Sequence, residues 1–242
     1  MVLAERALAG MLFCFLASLA QASDRPYLVA TDAVADEDDY DVAGIESWLE
    51  SSQKYQEFRF EPEYNFDPSN AVRVELAIAR DRRFDQSVRS RGVELEYKHL
   101  FTDLQRSGYG SGVIAGLDWD DRSAAVGGEE GGPEHTWSLD IVALTTLRPT
   151  PDTLVHFNLG AVKESGQGAH ARWAVAAEHE IIRRTTLFAE AGGSAGEERL
   201  IHGGLRHWIR RERFAVDLTV GRRYLAPADR TFITIGIALQ DM

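Results

Sequence analysis

The residues best placed to do chemistry lie in GYGSG (108–112), where a serine stands among glycines. A serine, a histidine and a polar orienting group would make a barrel that hydrolyses lipid. Ser111 or Ser138 could supply the nucleophile, with His99, His135 or His156 as the base. The spacing argues against it. Ser111 directly follows Gly110, so the G-x-S-x-G of a nucleophile elbow is not met. GYGSG reads as a glycine-rich strand entry, and no catalytic residue is assigned.

Metal chemistry fares no better. The 7 histidines are dispersed, and none forms H-E-x-x-H. In Glu178-His179-Glu180 a strand would turn the histidine away from both acids. Asp36, Glu37, Asp38, Asp39 and Asp41 lack the ligand spacing of a calcium loop. The single cysteine, Cys14, sits in the apolar N-terminal run, which leaves the rest of the chain without a thiol, a disulfide or a cysteine nucleophile. No metal and no cofactor is expected.

What remains is charge in a regular pattern. Glu57, Arg59, Glu61, Glu63, Arg73, Glu75, Glu94, Glu96, Lys98, Asp140, Arg172, Glu178, Glu190 and Asp217 all fall on the polar side of an alternating run. Asp118, Glu180 and Arg206 share that parity. Such a face could line a pore and select permeants by charge. It could equally close the interior by pairing across strands. Acids outnumber bases on it, which tilts any channel toward cations or neutral solutes.

The elements that position these charges are strands. From about residue 44 onward, segments of roughly ten residues alternate with period two, separated by turn residues. Val72, Val74, Leu76 and Ile78 oppose Arg73 and Glu75; Val93, Leu95 and Tyr97 oppose Glu94, Glu96 and Lys98. Near the end, Phe214, Val216, Leu218 and Val220 oppose Ala215, Asp217, Thr219 and Gly221. With a fainter segment at GIESWLES (44–51), about twelve strands are predicted, and no long helical stripe. The links alternate in length. Asp67–Asn70, Arg148–Asp152, Arg183-Arg184 and Arg211–Glu212 are tight; those near 81–90, 120–135, 163–169, 193–198 and 222–230 are longer. Residues 102–109 break this rule mildly.

Short turns at one end and long loops at the other are the layout of an up-and-down transmembrane β-barrel. Three features put lipid outside. The apolar face carries few charges. Its aromatics fall at strand ends, with Phe66 and Phe101 on the short-turn side and Trp119, Trp137, Trp173 and Tyr224 on the long-loop side. At ~4.8 Å strand spacing and ~40° tilt, twelve strands give a backbone radius of roughly 12 Å, too wide for ordinary apolar side chains to fill. A wet, polar lumen is expected.

Residues 1–22 read as a secretory signal peptide: Arg6, an apolar Leu8–Leu19 run and Ala20-Gln21-Ala22. Residues 23–43 read as a solvated acidic lead without a period, and 44–242 as the barrel. The net charge of -12 disfavours nucleic acid as a partner. The expected partners are outer-membrane lipid, a small-molecule permeant and the barrel-assembly machinery.

The segments FRFEPEYNFDPSNAVRVELAIA (58–79), HFNLGAVKE (156–164), TLFAEAGG (186–193) and GGLRHWIRRERFAVDLTVGRRYLAPADRTFITIGIAL (203–239) follow a familiar order. Together they resemble the outer-membrane barrel family associated with the meta pathway of phenol degradation. The resemblance spans about 44–239 and rests on NLG, then FAE, then a closing D-R-T-F-x-x-x-G. It implies a Gram-negative outer-membrane barrel, a transporter or porin, with no catalytic residues and no fixed substrate. One departure stands out: such barrels end in an aromatic, whereas here Leu239 precedes Gln240, Asp241 and Met242. The reading is a passive channel for small solutes through a charged lumen. The alternative is a closed barrel with a structural, adhesive or sensing role carried by its long acidic loops.

Overall fold

The computed structural model describes residues 27–34, 42–82, 88–102, 104–123, 135–195, 199–211, 213–224 and 230–240. The expected signal peptide, the acids Asp36 to Asp41 and most of the 120–135 loop lie outside the described residues.

The described strands are β1 (Val42–Ser51), β2 (Tyr55–Asp67), β3 (Asn70–Asp81), β4 (Val88–Thr102), β5 (Tyr109–Ser123) and β6 (His135–Thr150). They continue as β7 (Thr153–Glu164), β8 (Ala169–Ile182), β9 (Thr185–Ser194), β10 (Arg199–Arg210), β11 (Phe214–Tyr224) and β12 (Arg230–Leu239). One short helix, α1 (Leu104–Ser107), sits between β4 and β5 and accounts for the long link at 102–109. Each strand pairs antiparallel with its chain neighbours, and β1 pairs with β12 to close the barrel. The closing ladder is short, running from Ile45↔Leu239 to Ser51↔Ile233. By contrast the β4–β5 ladder runs from Arg89↔Ser123 to Thr102↔Ser111.

The tight links became turns. In the β2–β3 turn the Ser69 N–H donates to Asp67 Oδ1 at 2.7 Å and Asn70 Nδ2 donates to the same oxygen at 2.8 Å. The Ser69 backbone bond first, and then the Asn70 side chain, hold the Asp67 carboxyl below its ordinary range. The β8–β9 turn places Arg184 at φ 74°, a single left-handed residue beside the register shift between Glu180 and Ile182, as in a turn closed by a bulge.

Alternation fixes the two faces. Leu159, Ile235 and Ile78 point outward and are 67%, 60% and 60% exposed, an inversion that suits hydrocarbon rather than water. Leu218 and Val220 point outward with them, while Ala215, Asp217 and Thr219 are buried inside. Phe66 stacks on Tyr97 near the short turns, with ring centroids 6.4 Å apart, and Trp119 lies 6.3 Å from Trp137 near the long loops. Tyr64, Tyr97 and Tyr109 add to the short-turn girdle. Trp48 is different. It shares parity with Glu46 and Glu50 and pairs with Arg59 and Gly236, so it faces inward.

Candidate functional site: the lumen

The inner wall is a set of charge clusters, each spanning two or more strands. Arg59 donates to Glu75 Oε1 at 2.8 Å and to Glu57 Oε1 at 3.2 Å. Arg73 donates to Glu61 at 3.2 Å and also pairs with Glu96. The Arg172 guanidinium donates to Asp140 Oδ2 at 3.0 Å. Glu94, Glu96 and Asp140 bring their carboxylates within 4.8 Å of one another, where Arg73 and Arg172 enter among them. Gly116 leaves room for this cluster, since a Cβ there would lie 2.0 Å from Asp140 Oδ1.

A second set binds the two ends of the sheet together. From β10, Arg206 donates to Asp217 on β11 at 2.7 Å and reaches Glu46 on β1 at 3.1 Å. The intervening β12 residue is Gly236, which keeps the path over that strand clear. Likewise Arg223 on β11 donates to Glu50 on β1 at 2.7 Å, its guanidinium lying 5.3 Å from the Phe232 ring. Arg230 pairs with Glu50 at 3.1 Å and lies 3.8 Å over the Tyr55 ring.

The lumen is partly filled. Glu50, Glu190 and Arg206 are only 1%, 2% and 2% exposed, although all three face the interior of a wide barrel. Part of the filling is the chain itself. Residues 27–34, expected as solvated lead, lie inside along β9, β8, β7, β6 and β4. The Leu28 and Val29 N–H groups donate to Glu190 at 2.9 and 2.8 Å, and the Ala30 N–H donates to the same carboxylate. On its other side Glu190 meets His202 Nε2. Asn158 reads the next residue twice: its Oδ1 accepts the Thr31 N–H at 2.7 Å and its Nδ2 donates to the Thr31 carbonyl at 2.9 Å. The Ala33 N–H donates to Thr146 Oγ1 at 2.8 Å, and Thr146 bonds His156 Nδ1 at 2.9 Å.

Side chains follow the same path. Tyr27 enters a pocket of Phe188, His156, Ala174 and Ala176, and its hydroxyl lies 3.5 Å from Glu178. Ala33 packs on Leu100, Ile114, Val142 and Leu144. Lys98 stands 3.8 Å from Asp32 and 3.9 Å from Glu63, joining segment to wall. The wall is cut back to admit the backbone: a Cβ on Gly110 would lie 1.7 Å from the Ala33 carbonyl oxygen.

All fourteen charged residues expected on the polar face point inward. The structure joins Glu57, Arg59 and Glu75 in one cluster and Glu61, Arg73, Glu94, Glu96, Asp140 and Arg172 in another. Glu63, Lys98, Glu178 and Glu190 gather instead around residues 27–34, and Asp217 joins the seam. Sequence reasoning missed Glu46, Glu50, Arg223 and Arg230, although the parity of GIESWLES and of 214–224 held the signal for three of them. The hydrolase constellation does not assemble. Ser111 bonds Thr102, and Ser138 bonds Asp118; His99, His135 and His156 are engaged by Asn70, Asp121 and Thr146.

With this geometry in hand, three solved structures are informative for the fold. The KdgM porin superposes with a TM-score of 0.62 at 11% identity, covering 82% of this chain and 99% of its own. The COG4313 outer membrane channel from Pseudomonas putida F1 gives 0.58 at 9% identity, covering 90% and 100%. The β domain of the Bordetella autotransporter BrkA gives 0.54 at 9%, covering 83% and 99%. These likenesses carry the barrel and not its task. Among curated proteins, none matches the chain. A family model described as "Uncharacterised conserved protein UCP029691" matches residues 11–240. Family model and solved structures are in keeping with a porin-like barrel; neither carries a link to phenol degradation.

Proposed function

The chain belongs to this UCP029691 family, and on that premise we propose that it is an outer-membrane channel for small polar solutes, held shut at rest by its own residues 27–34. The observation that carries the reading is how those residues are held. Polar wall groups grip the segment through its main chain, and the Tyr27 ring, Val29 and two alanines bury apolar surface on the wall. Hydrogen bonds of this kind exchange with water, contributing about 1 kcal/mol net for the neutral ones and roughly 1.5–3 kcal/mol for those to the Glu190 carboxylate. Withdrawal of the segment would leave a lumen lined by carboxylates, guanidinium groups, Asn158 and Thr146, surfaces that water and polar solutes can wet. Passage would be passive.

The excess of acids on the wall favours cations and neutral solutes. The outward apolar band suits membrane lipid as its solvent, which supports an outer-membrane location.

Single-channel recording in a planar bilayer tests this reading. The chain from Ser23 should conduct rarely, and the same chain lacking 27–34 should carry a steady, salt-dependent current. A folded, inserted deletion variant that passes no current would overturn the channel and leave a closed barrel.

A further inference from the structure

Residues 27–34 are seated as a ligand is seated. The Glu190 carboxylate takes consecutive N–H groups at 28, 29 and 30. A carboxamide reads both polar groups of residue 31. Thr146 takes the N–H of residue 33. Every one of these contacts is to main chain, which any peptide offers. The side-chain demands are few: an aromatic in the pocket of Phe188 and His156, an apolar residue at 29 beside it, small residues where the chain meets the wall at 30 and 33, and an acid at 32 facing Lys98. Glycine at 110 removes a side chain that would block the path.

We propose that this groove is a peptide-binding site, and that residues 27–34 are its tethered occupant. The ligand class is a short peptide that bends after an aromatic residue, with small residues three and six places later and an acid five places later. Competition for the groove would then couple arrival of such a peptide to displacement of the segment. That the bound peptide goes on to cross the membrane rests on the channel reading above; that the groove binds it does not.

The test uses the chain lacking 27–34, refolded in detergent, and fluorescence anisotropy of three labelled eight-residue peptides. The first has the sequence of 27–34. The second keeps only the aromatic, the acid and the two small positions in an otherwise different sequence. The third is the first with its amides methylated at the positions of Leu28 and Ala30. The first two should bind, and the third should bind at least roughly tenfold more weakly, since two main-chain donors to a carboxylate are gone. Glu190→Gln in the deletion background should weaken the first peptide similarly. Binding by none, equal binding of the methylated peptide, or binding of the first peptide alone would overturn the proposal; the last would make the groove a seat for its own segment only. Should the deletion not fold, the chain with 27–34 exchanged for a glycine–serine run of equal length replaces it. Conductance of the same preparation separates the two readings: current without peptide binding sinks this inference and spares the channel, and binding without current does the reverse.

Discussion

At the scale of single residues, the lumen divides into positions that serve the wall and positions that serve the segment within it. Gly110 belongs to the second kind, because the nearest atoms to an added Cβ are all in Ala33. Gly110→Ala should therefore unseat the segment while sparing the barrel, and its open probability in bilayers should approach that of the deletion variant. Glu50 belongs to the first kind. It is 1% exposed and compensates both Arg223 and Arg230. Glu50→Gln leaves two interior cations short of a counter-charge and should cost about 3 kcal/mol, read as a lower urea midpoint in detergent. Much of this was legible in residue parity, since a carboxylate flanked by outward leucines can face only the lumen. What parity could not supply was the partner of each charge. Arg206 reaches β1 across two strands, and nothing in the spacing of the sequence announces a contact of that range.

At the scale of elements, strands were readable because each carries its own period, and the turns were readable from their composition. The 27–34 segment was not. It lacks alternation and is held through N–H and C=O groups that every residue possesses, so its side chains encode little of its location. The acidic residues that follow it suggested a solvated tail, and that composition says nothing about the eight residues before them. The seated segment should resist proteases that cleave it once it is out. Limited proteolysis followed by mass spectrometry should find 27–34 intact in the native chain and cut in Asn158→Leu, where Thr31 loses both of its side-chain contacts.

At the scale of the whole molecule, the twelve strands, the lipid-facing band and the charged interior all follow from one alternating code, which is why they were legible together. The segment inside the lumen was the exception. Radius alone sets how much volume there is to occupy, and here long charged side chains and a length of chain take up part of it. The residual charge imbalance still makes a global prediction. Glu94→Lys together with Glu96→Lys in the deletion background should shift the reversal potential under a salt gradient toward anions; an unchanged potential would mean that the conducting path avoids β4.

The position of the groove also bears on how the protein is made. Its polar contacts come from β4 to β9, neighbours joined in succession, whereas the seam joins Ile45 to Leu239 at the opposite limit of sequence separation. Local pairings form first and distant ones last. The groove can thus exist on an open, curling sheet before the first and last strands meet. A segment laid into it at that stage never has to thread a finished cylinder, and closure of the seam would seal it in. Membrane insertion would then deliver a barrel already shut, so that no leak accompanies its birth.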